Sequence, residues 1–381
     1  MSRPVYLDYN ATTPVAAEVV AAMLPYLAEH FGNPSSSHPY GRKAAQAVHE
    51  ARESVASLLG AAADEIFFTG SATEANNLAL LGVARALAGE IRHRVVSAVE
   101  HPAVIEPALY LRSEGWDLSV IHVDAYGRID PSDIAAALRP DTALVSIMHA
   151  NNEVGTIQPV AEIAAITKAR GVLLHTDAAQ SAGKIPVNVD ALGVDLLTLA
   201  GHKLYATKGV GALYVRTGTP IKPIQFGADQ ERGLRPGTEN VALVVGLGAA
   251  ARLAQERLPA VTEKLRSLRD ALHERLAVAV PGLMLNGHPT ERLPNTLHVS
   301  FPGIAGRELL SRVAGWVAAS VGSACHSETD AVSGVLTAMG CDANRARGAV
   351  RLSVGWKSTP EEIEAAATAL SEGVTGLRVF G

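Results

Sequence analysis

Short apolar segments alternate with amphipathic segments along the middle of the chain. The apolar segments are rich in Val, Ile, Leu and Phe, and each is short enough to form a buried strand. Segments with helical spacing, such as 74–88 and 160–170, lie between most of them. Repeated strand-then-helix order predicts an α/β fold with a mostly parallel sheet covered by helices on both faces. Its seven predicted strands are 66–69, 94–98, 118–123, 143–148, 172–177, 196–199 and 212–215.

The pattern changes after residue 215. Residues 220–240 are rich in Gly, Pro and polar side chains, which is typical of a long functional loop. A long helix is predicted over 240–278, and the remainder alternates two strands, 296–301 and 350–354, with helices such as 359–370. We therefore expect a large domain of residues 14–255. A smaller α+β domain would combine residues 1–13 with residues 256–381.

Composition narrows the class of protein. Of the 381 residues, 48% are hydrophobic and 19% charged, which suits a large core and argues against disorder. A net charge of −5 argues against a strongly basic nucleic-acid-binding protein, so no direct nucleic-acid binding is expected. The only two cysteines, Cys325 and Cys341, favour a reducing, cytoplasmic location over a disulfide framework.

Neither a signal peptide nor a membrane span is expected. The first residues, MSRPVYLDYNATTP, lack the apolar segment of a secretory signal. No run in the chain approaches the ~18 consecutive apolar residues that a spanning helix needs.

Residues able to do chemistry follow five of the predicted strands. Carboxyl ends of parallel strands meet at one edge of a sheet, where ligands of open α/β folds bind. Each residue alone also fits a structural role, such as a helix N-cap for Asp177 or a surface lysine for Lys203. Their convergence at one edge favours a binding site instead. The set comprises the small-residue turn 70–73, His101, Asn151 and Asn152, Asp177, and the pair His202 and Lys203.

This combination suits pyridoxal phosphate. Lys203 would hold the cofactor's aldehyde as a Schiff base, and Asp177 would keep its pyridine nitrogen protonated. The ring of His101 could stack on the pyridine. Residues 70–73, at the start of a helix, would present backbone N–H groups to the phosphate.

Two further residues lie in the predicted smaller domain. Cys325 is flanked by small residues in SVGSACHSETD, which suits an exposed nucleophilic thiol but also a buried structural cysteine. Arg351, in the strand-like GAVRLSVGW, could hold a carboxylate with two hydrogen bonds or form a surface ion pair. Cys341 is interpreted as incidental.

Ordered motifs along essentially the whole chain resemble one family. They are YLDYNATTP, FGNPSSSH, TGSATEANN, EHPAV, NNEVG, TDAAQ, GHKLY, ERGLRPGTEN, PNTLHVSF, GSACHS and VRLSVG. The chain resembles the cysteine desulfurases of the nitrogen-fixation and iron–sulphur-cluster type. These belong to the class V aminotransferase group of fold type I pyridoxal phosphate enzymes. The resemblance implies that fold.

The resemblance also implies roles at the cofactor. Lys203 looks like the imine-forming lysine, with His202 beside it on the phosphate side. Asp177 and Gln180 look like the partners of the pyridine nitrogen and the ring hydroxyl. His101 looks like the stacking residue and an acid/base. Ala72 and Thr73 would bind the phosphate, and Asn152 would lie near the ring hydroxyl and the substrate.

Other implied roles concern the substrate and the partner subunit. Arg351 would hold the substrate carboxylate, and Asn33 would approach the substrate. Thr238 would reach the phosphate of a second subunit, which implies a homodimer. The implied reaction converts L-cysteine to L-alanine and leaves a persulfide on Cys325, whose thiol His101 or His326 would help to deprotonate.

A sulfur-acceptor protein would then take the persulfide sulfur. The acceptor could serve iron–sulphur clusters, tRNA thiolation or DNA phosphorothioation. Two alternatives stay open: a selenocysteine lyase, suggested by Ala-Cys-His-Ser, and a weakly catalytic scaffold of a sulfur-transfer complex.

The chain also departs from the family pattern at three places. Ala200 stands where many relatives have a phosphate-contacting Ser. Residues 205–208 replace a Gly-Pro or Ala-Pro, and Trp356 replaces an Arg.

Overall fold

The computed structural model describes residues 3–87, 89, 91–322 and 333–380. The strands are β1 (Val5–Tyr6), β2 (Ile66–Thr69), β3 (His93–Ser97), β4 (Asp117–Ile121), β5 (Thr142–Ser146), β6 (Leu173–Asp177), β7 (Leu196–Ala200), β8 (Gly211–Val215), β9 (Met284–Asn286), β10 (Thr296–Ser300), β11 (Val317–Ala318) and β12 (Ala349–Ser353). The helices are α1 (Ala17–Ala28), α2 (Pro39–Leu59), α3 (Ala72–Ala86), α4 (Pro102–Ser113), α5 (Pro131–Ala137), α6 (Val160–Ala169), α7 (Val189–Leu192), α8 (Val241–Ala279), α9 (Gly306–Arg312), α10 (Gly334–Ala338), α11 (Ala343–Arg347) and α12 (Pro360–Phe380).

The large sheet has seven strands in the order β2-β8-β7-β6-β5-β3-β4. The five strands from β7 to β4 are parallel, and β8 runs antiparallel to both of its neighbours. This confirms the predicted α/β class and all seven predicted strands, with ends that differ by up to two residues. The predicted helix 74–88 extends to residue 88, which lies outside the described residues, whereas α3 ends at Ala86.

Helices cover both faces of this sheet, as predicted. On one face, α3 and α4 pack through Leu78, Leu80 and Leu111 against Val96 and Leu144 of the sheet. On the other face, α2, α6 and the first half of α8 pack in a second apolar cluster with Val95 and Val145. With both faces covered, ligands can reach the sheet only at its edges and at the ends of its strands.

A second sheet of three antiparallel strands has the order β12-β10-β9, and β1 pairs with β11 beside it. Strands β10 and β12 confirm two predicted strands. Strands β1, β9 and β11 were missed because segments of two or three residues show no alternation. The helix predicted over 359–370 was too short, since α12 continues to Phe380 through Gly373, which packs closely on Val313.

Helix α8 connects the two sheets. Its residues up to Ala254 pack with α1 and α2, whereas Leu265, Leu272 and Leu276 pack with the smaller sheet. The division at residue 255 stays a prediction. Residues 220–240 form an irregular segment with one short 3-10 helix, Gln230–Gly233. Within the described part of the chain, no helix is long and apolar enough to cross a membrane.

Candidate active site

A cavity of about 210 Å³ lies at the carboxyl ends of the central parallel strands. Strand β6 ends in it with Asp177, and the turn after β7 contributes His202 and Lys203. The structure brings most of the predicted site residues together here. Those lining the cavity are Ala72, Thr73, His101, Asn152, Asp177, Gln180, His202, Lys203 and Arg351.

Asp177 is a buried carboxylate with two donors. Asn76 Nδ2 donates to its Oδ2 at 2.7 Å, and the backbone N–H of Ala179 donates to its Oδ1 at 2.9 Å. Hydrogen bonds to a carboxylate stabilise its negative charge. Asn76 was missed, although it lies in the TGSATEANN motif. Its Oδ1 is buried and has no partner among the described residues.

The first turn of α3 forms an anion-binding cradle. Ser71 is the N-cap, and its Oγ accepts from the backbone N–H of Glu74 at 3.1 Å. The backbone N–H groups of Ala72 and Thr73 belong to the first turn, where no carbonyl of the helix can accept from them. Gly211 lies behind this turn, and a Cβ there would be 2.8 Å from Ser71 C and 3.0 Å from Ala72 N.

The 220–240 segment is attached to this cradle. Arg235 Nε donates to Glu74 Oε1 at 2.7 Å, and Glu74 Oε2 accepts from the backbone N–H of Gly70 at 2.7 Å. Arg52 binds both carboxylate oxygens of buried Glu231. The segment is therefore fixed at two points, next to the turn that precedes α3.

Lys203 ends the short 3-10 helix Gly201–Lys203, which directly follows β7. The N-terminal segment holds this turn, because Thr13 Oγ1 donates to the carbonyl of His202 at 2.9 Å. Burial, followed by the charge of Lys203, lowers the pKa of His202 to about 4. His202 is therefore neutral near pH 7.

His101 is the N-cap of α4. Its Nδ1 accepts from the backbone N–H of Ala103 at 3.1 Å, so the neutral ring carries its proton on Nε2. Burial is the main cause that lowers the pKa of His101. The charge of Lys203 lowers it further, and the charge of Asp177 opposes both. The uncharged ring therefore lines the cavity as an N–H donor.

Arg351 comes from the smaller sheet and is almost completely buried. One of its terminal nitrogens donates to the carbonyl of Asn152 at 3.0 Å, and the other donates to Asp8 Oδ1 at 2.8 Å. Its Nε has no partner among the described residues. Asp8 was missed as a site residue, although it lies in the YLDYNATTP motif.

Asn10, also missed, connects the two sides of the cavity. Its carbonyl accepts from Gln180 Nε2 at 2.9 Å. Its Nδ2 donates to the carbonyl of Asn152 at 3.3 Å and to Thr296 Oγ1 at 2.9 Å. No pattern in the sequence marks an asparagine that acts through its backbone carbonyl.

The departures from the family pattern lie close to this site. Trp356 stacks on Tyr205 with the ring centroids 3.8 Å apart, and the Trp356 backbone N–H donates to Tyr205 Oη at 2.7 Å. Two of the departing segments therefore contact each other, two residues after Lys203. Ala200 lines the cavity and offers no hydroxyl group.

Two of the predicted site residues that the structure describes are not part of this cavity. Asn33 and Thr238 are exposed and do not line it in the single chain. Cys325 and the neighbouring His326 lie outside the described residues. Within the described ranges, no cluster of three or more His, Cys, Asp or Glu side chains could hold a metal ion.

Comparison with known proteins identifies the family. The family model described as aminotransferase class-V matches residues 5–366. A protein of Dictyoglomus turgidum named cysteine desulfurase IscS is 45% identical over 381 residues, covering 100% of this chain and 97% of the relative.

Solved structures agree with this match. A NifS-like protein superposes with a TM-score of 0.93 and 38% identity, covering 98% of this chain and 100% of the other. A structure described as SspA in complex with cysteine superposes with a TM-score of 0.82 and 36% identity, covering 93% and 99%. The chain therefore belongs to the aminotransferase class-V family.

Proposed function

We propose that this protein is a pyridoxal phosphate-dependent cysteine desulfurase that converts L-cysteine to L-alanine and takes the sulfur onto Cys325 as a persulfide. One observation carries the proposal. A single cavity contains a lysine, a buried carboxylate, an open helix N-terminus and a buried arginine. The relative named cysteine desulfurase IscS and the structure of SspA with cysteine support this choice of substrate.

The residues present fit pyridoxal phosphate. Asp177, held by two donors, would accept from the protonated pyridine nitrogen. The N–H groups of Ala72 and Thr73 would bind the phosphate, and Gly211 leaves room for the backbone of that turn. The ring of His101 would stack on the pyridine. Gln180 and Asn152 would lie near the ring hydroxyl, and His202 would lie on the phosphate side.

The remaining polar groups of the cavity fit the substrate. Arg351 would bind the carboxylate of L-cysteine, because its Nε is a buried donor without a partner among the described residues. Lys203 would bind the cofactor covalently and, once released, move the proton of the substrate's Cα. When bound, the cofactor would supply a sink for the electrons of the bonds broken at the substrate.

His101 would act as a hydrogen-bond donor in this cavity. Its Nδ1 is occupied by the N–H of Ala103, so Nε2–H is the group available to a ligand. A ring in this tautomer can donate to the substrate but cannot accept a proton at Nε2. We therefore assign His101 the role of a hydrogen-bond donor to the ligand and leave removal of the Cα proton to Lys203.

Sulfur transfer would then require Cys325. Its thiolate would attack the substrate sulfur, so that an S–S bond forms while the C–S bond breaks. The electron pair of the C–S bond stays with the carbon skeleton, which takes up protons and leaves as alanine. His326 is the neighbouring residue that would help to deprotonate the thiol.

The wider assignments belong to the same proposal. Thr238 of a second copy would bind the phosphate and make the enzyme a homodimer, and Asn33 would approach the substrate. A sulfur-acceptor protein would remove the persulfide sulfur. A large cofactor-binding domain of residues 14–255 would work with a small domain of residues 1–13 and 256–381.

The test compares L-cysteine with L-selenocysteine as substrates of the purified protein. Alanine is quantified, and the persulfide is located by mass spectrometry of the intact chain. We expect turnover of L-cysteine and an added sulfur atom on Cys325. Cys325→Ser is expected to abolish alanine formation while the visible absorbance of the cofactor remains, whereas Cys341→Ser keeps full activity as the matched control.

Three outcomes would contradict the proposal. Turnover of selenocysteine alone would identify a selenocysteine lyase. A purified protein without a visible cofactor band would point to a scaffold. Normal alanine formation by Cys325→Ser would remove the persulfide role. Lys203→Ala is expected to lose the visible band of the lysine-bound cofactor, and a retained band would assign that role to another residue.

A further inference from the structure

Lys184 is a buried amine among uncharged amide groups. It lies seven residues after the end of β6 (184 − 177), and its side chain is almost completely buried. Its Nζ donates to Gln180 Oε1 at 2.8 Å and to Asn10 Oδ1 at 3.3 Å. Within the part of the chain that the structure describes, Lys184 forms no salt bridge with a carboxylate.

The backbone holds Lys184 in this place. Gly183 has a φ of +73°, and a Cβ there would collide with Leu204, so another residue would not fit. Thr262 Oγ1, on α8, donates to the carbonyl of Lys184 at 2.8 Å. These contacts hold the backbone of Lys184, whereas its Nζ is placed by its own hydrogen bonds to Gln180 and Asn10.

Burying this amine carries an energetic cost. Burial lowers the pKa of Lys184 well below its usual value, and the charges of Lys203 and Arg351 lower it further. A buried amine without a carboxylate partner does not gain the Coulomb energy of an ion pair. Its two bonds instead go to groups that line the cavity, Gln180 and Asn10.

We propose that Lys184 is a positioning residue, which fixes the Gln180 amide so that it presents an N–H group, not its carbonyl, to the ring oxygen of the bound cofactor. This inference rests on the proposed function. An amide has an acceptor end and a donor end, and its neighbours decide which end faces a ligand. Lys184 Nζ faces two oxygen acceptors, Gln180 Oε1 and Asn10 Oδ1, so it acts as a donor and holds the oxygen of Gln180.

The other end of the amide is fixed in the same way. Gln180 Nε2 donates to the backbone carbonyl of Asn10 at 2.9 Å, and a carbonyl cannot donate. One N–H of Nε2 is then used by Asn10, and the second is left for a ligand in the cavity. Lys184 and the Asn10 carbonyl together exclude the flipped amide.

A spectroscopic consequence follows. A hydrogen-bond donor to the ring oxygen stabilises the negative charge on that oxygen. Without the donor, this charge holds the proton of the lysine-bound cofactor more strongly. Loss of the donor therefore makes the cofactor harder to deprotonate. The pH midpoint at which its visible absorbance changes should rise, by roughly half a unit to one unit for one net hydrogen bond.

The experiment is a double-mutant cycle on the cofactor-loaded protein. Absorbance is titrated with pH in the wild type, Lys184→Met, Gln180→Ala and the double variant. Each single variant is expected to raise the midpoint, and the double variant should match Gln180→Ala, because Lys184 acts through Gln180. Thr262→Val removes a hydroxyl that contacts the carbonyls of Lys184 and Leu258 but leaves both hydrogen bonds of Lys184 Nζ in place, so it is expected to leave the midpoint unchanged.

Each other outcome is informative. An unchanged midpoint in Lys184→Met, or a second full shift in the double variant, would overturn the inference. Lys184→Gln serves if Lys184→Met fails to fold. Its amide can both donate and accept, so both orientations of Gln180 are allowed and a smaller shift in the same direction is expected, whereas no shift overturns the inference. A wild type without a visible band would overturn the proposed function instead.

Discussion

The cavity has two walls that are held in different ways. The cofactor wall, which we propose binds the cofactor, consists of Ala72, Thr73, His101, Asp177 and Lys203. Each of these ends a strand of the large sheet or follows one closely. The substrate wall, which we propose binds the substrate, consists of Asn10 and Arg351, and Asp8 supports it by binding Arg351 without lining the cavity. Strand ends position the first wall through the backbone, whereas side-chain hydrogen bonds between distant segments hold the second.

The distances along the chain show the difference. Arg351 and Asp8 are 343 positions apart in the sequence, and their guanidinium–carboxylate contact is 2.8 Å. Substitutions that displace the backbone should therefore damage the cofactor wall. Substitutions that change one charge should alter the substrate wall and leave the cofactor in place.

The largest effect is expected from Gly211→Ala, which tests the cofactor wall. The added Cβ would be 2.8 Å from Leu199 O and from Ser71 C. Both are backbone atoms and cannot rotate away, so the first turn of α3 must move. Overpacking costs ~1–3 kcal/mol, which predicts a cofactor Kd raised by roughly tenfold or more. Cofactor release is measured by dialysis and absorbance.

Gly315→Ala is the matched control, because a Cβ there meets no atom within 4 Å. It should leave cofactor affinity and thermal stability unchanged. Tight cofactor binding by Gly211→Ala would show that the first turn of α3 does not hold the phosphate.

A second test measures the pH dependence of folding stability that arises from Glu100, a residue that supports the cofactor wall. Glu100, next to His101, is buried, and its Oε1 accepts from Ser97 Oγ at 2.6 Å and from the N–H of Met148 at 2.9 Å. Burial raises the pKa of Glu100 from 4.5 to about 8 in the folded protein. The unfolded chain therefore releases this proton first, and folding stability falls as the pH rises through this range.

Glu100→Gln removes this titratable carboxyl group and should flatten the pH dependence of folding stability. The Tm of the wild type is expected to fall more between pH 5 and pH 8 than the Tm of the variant, measured by calorimetry at both values. Glu106→Gln changes an exposed carboxylate on α4 and should retain the wild-type dependence. An equal Tm difference in the wild type and Glu100→Gln would mean that Glu100 is ionised in the folded protein.

The cofactor wall shows what the sequence could predict. Apolar runs followed by Asp177, Lys203 or His101 indicated where strands end. The carboxyl ends of parallel strands meet at one edge of the sheet, whichever side chains they carry. The same alternation predicted the seven strands. Short strands such as β9 were missed because three residues carry no period.

The substrate wall could not be predicted in this way. Arg351 was a candidate as an arginine on a strand that could hold a carboxylate or form a surface ion pair, and the resemblance favoured the carboxylate. Asp8, Asn76 and Lys184 were not singled out, because each acts through a partner that only the folded chain brings near. A side chain that orients another side chain leaves no periodic signal in the sequence.

The smallest effect is expected from Asp8→Asn, which tests the substrate wall alone. The amide oxygen of Asn can still accept from Arg351, but the negative charge that shares the guanidinium with the substrate carboxylate is lost. Two like charges a few ångströms apart repel by about a few kcal/mol at an intermediate dielectric constant. Arg351 is buried, but the side chain of Asp8 is 20% exposed, so solvent screens part of this repulsion. We expect L-alanine, a carboxylate ligand without sulfur, to inhibit the variant two- to fivefold more tightly, roughly the effect of a weak charge pair.

Asp8→Ala, which also removes the acceptor and leaves Arg351 less well positioned, should bind L-alanine more weakly than the wild type. The visible cofactor spectrum should be the same in all three proteins. If Asp8→Asn and Asp8→Ala both bind L-alanine more weakly than the wild type, then binding requires the negative charge of Asp8 as well as its oxygen. Asp8 and Arg351 would then bind the substrate as an ion pair.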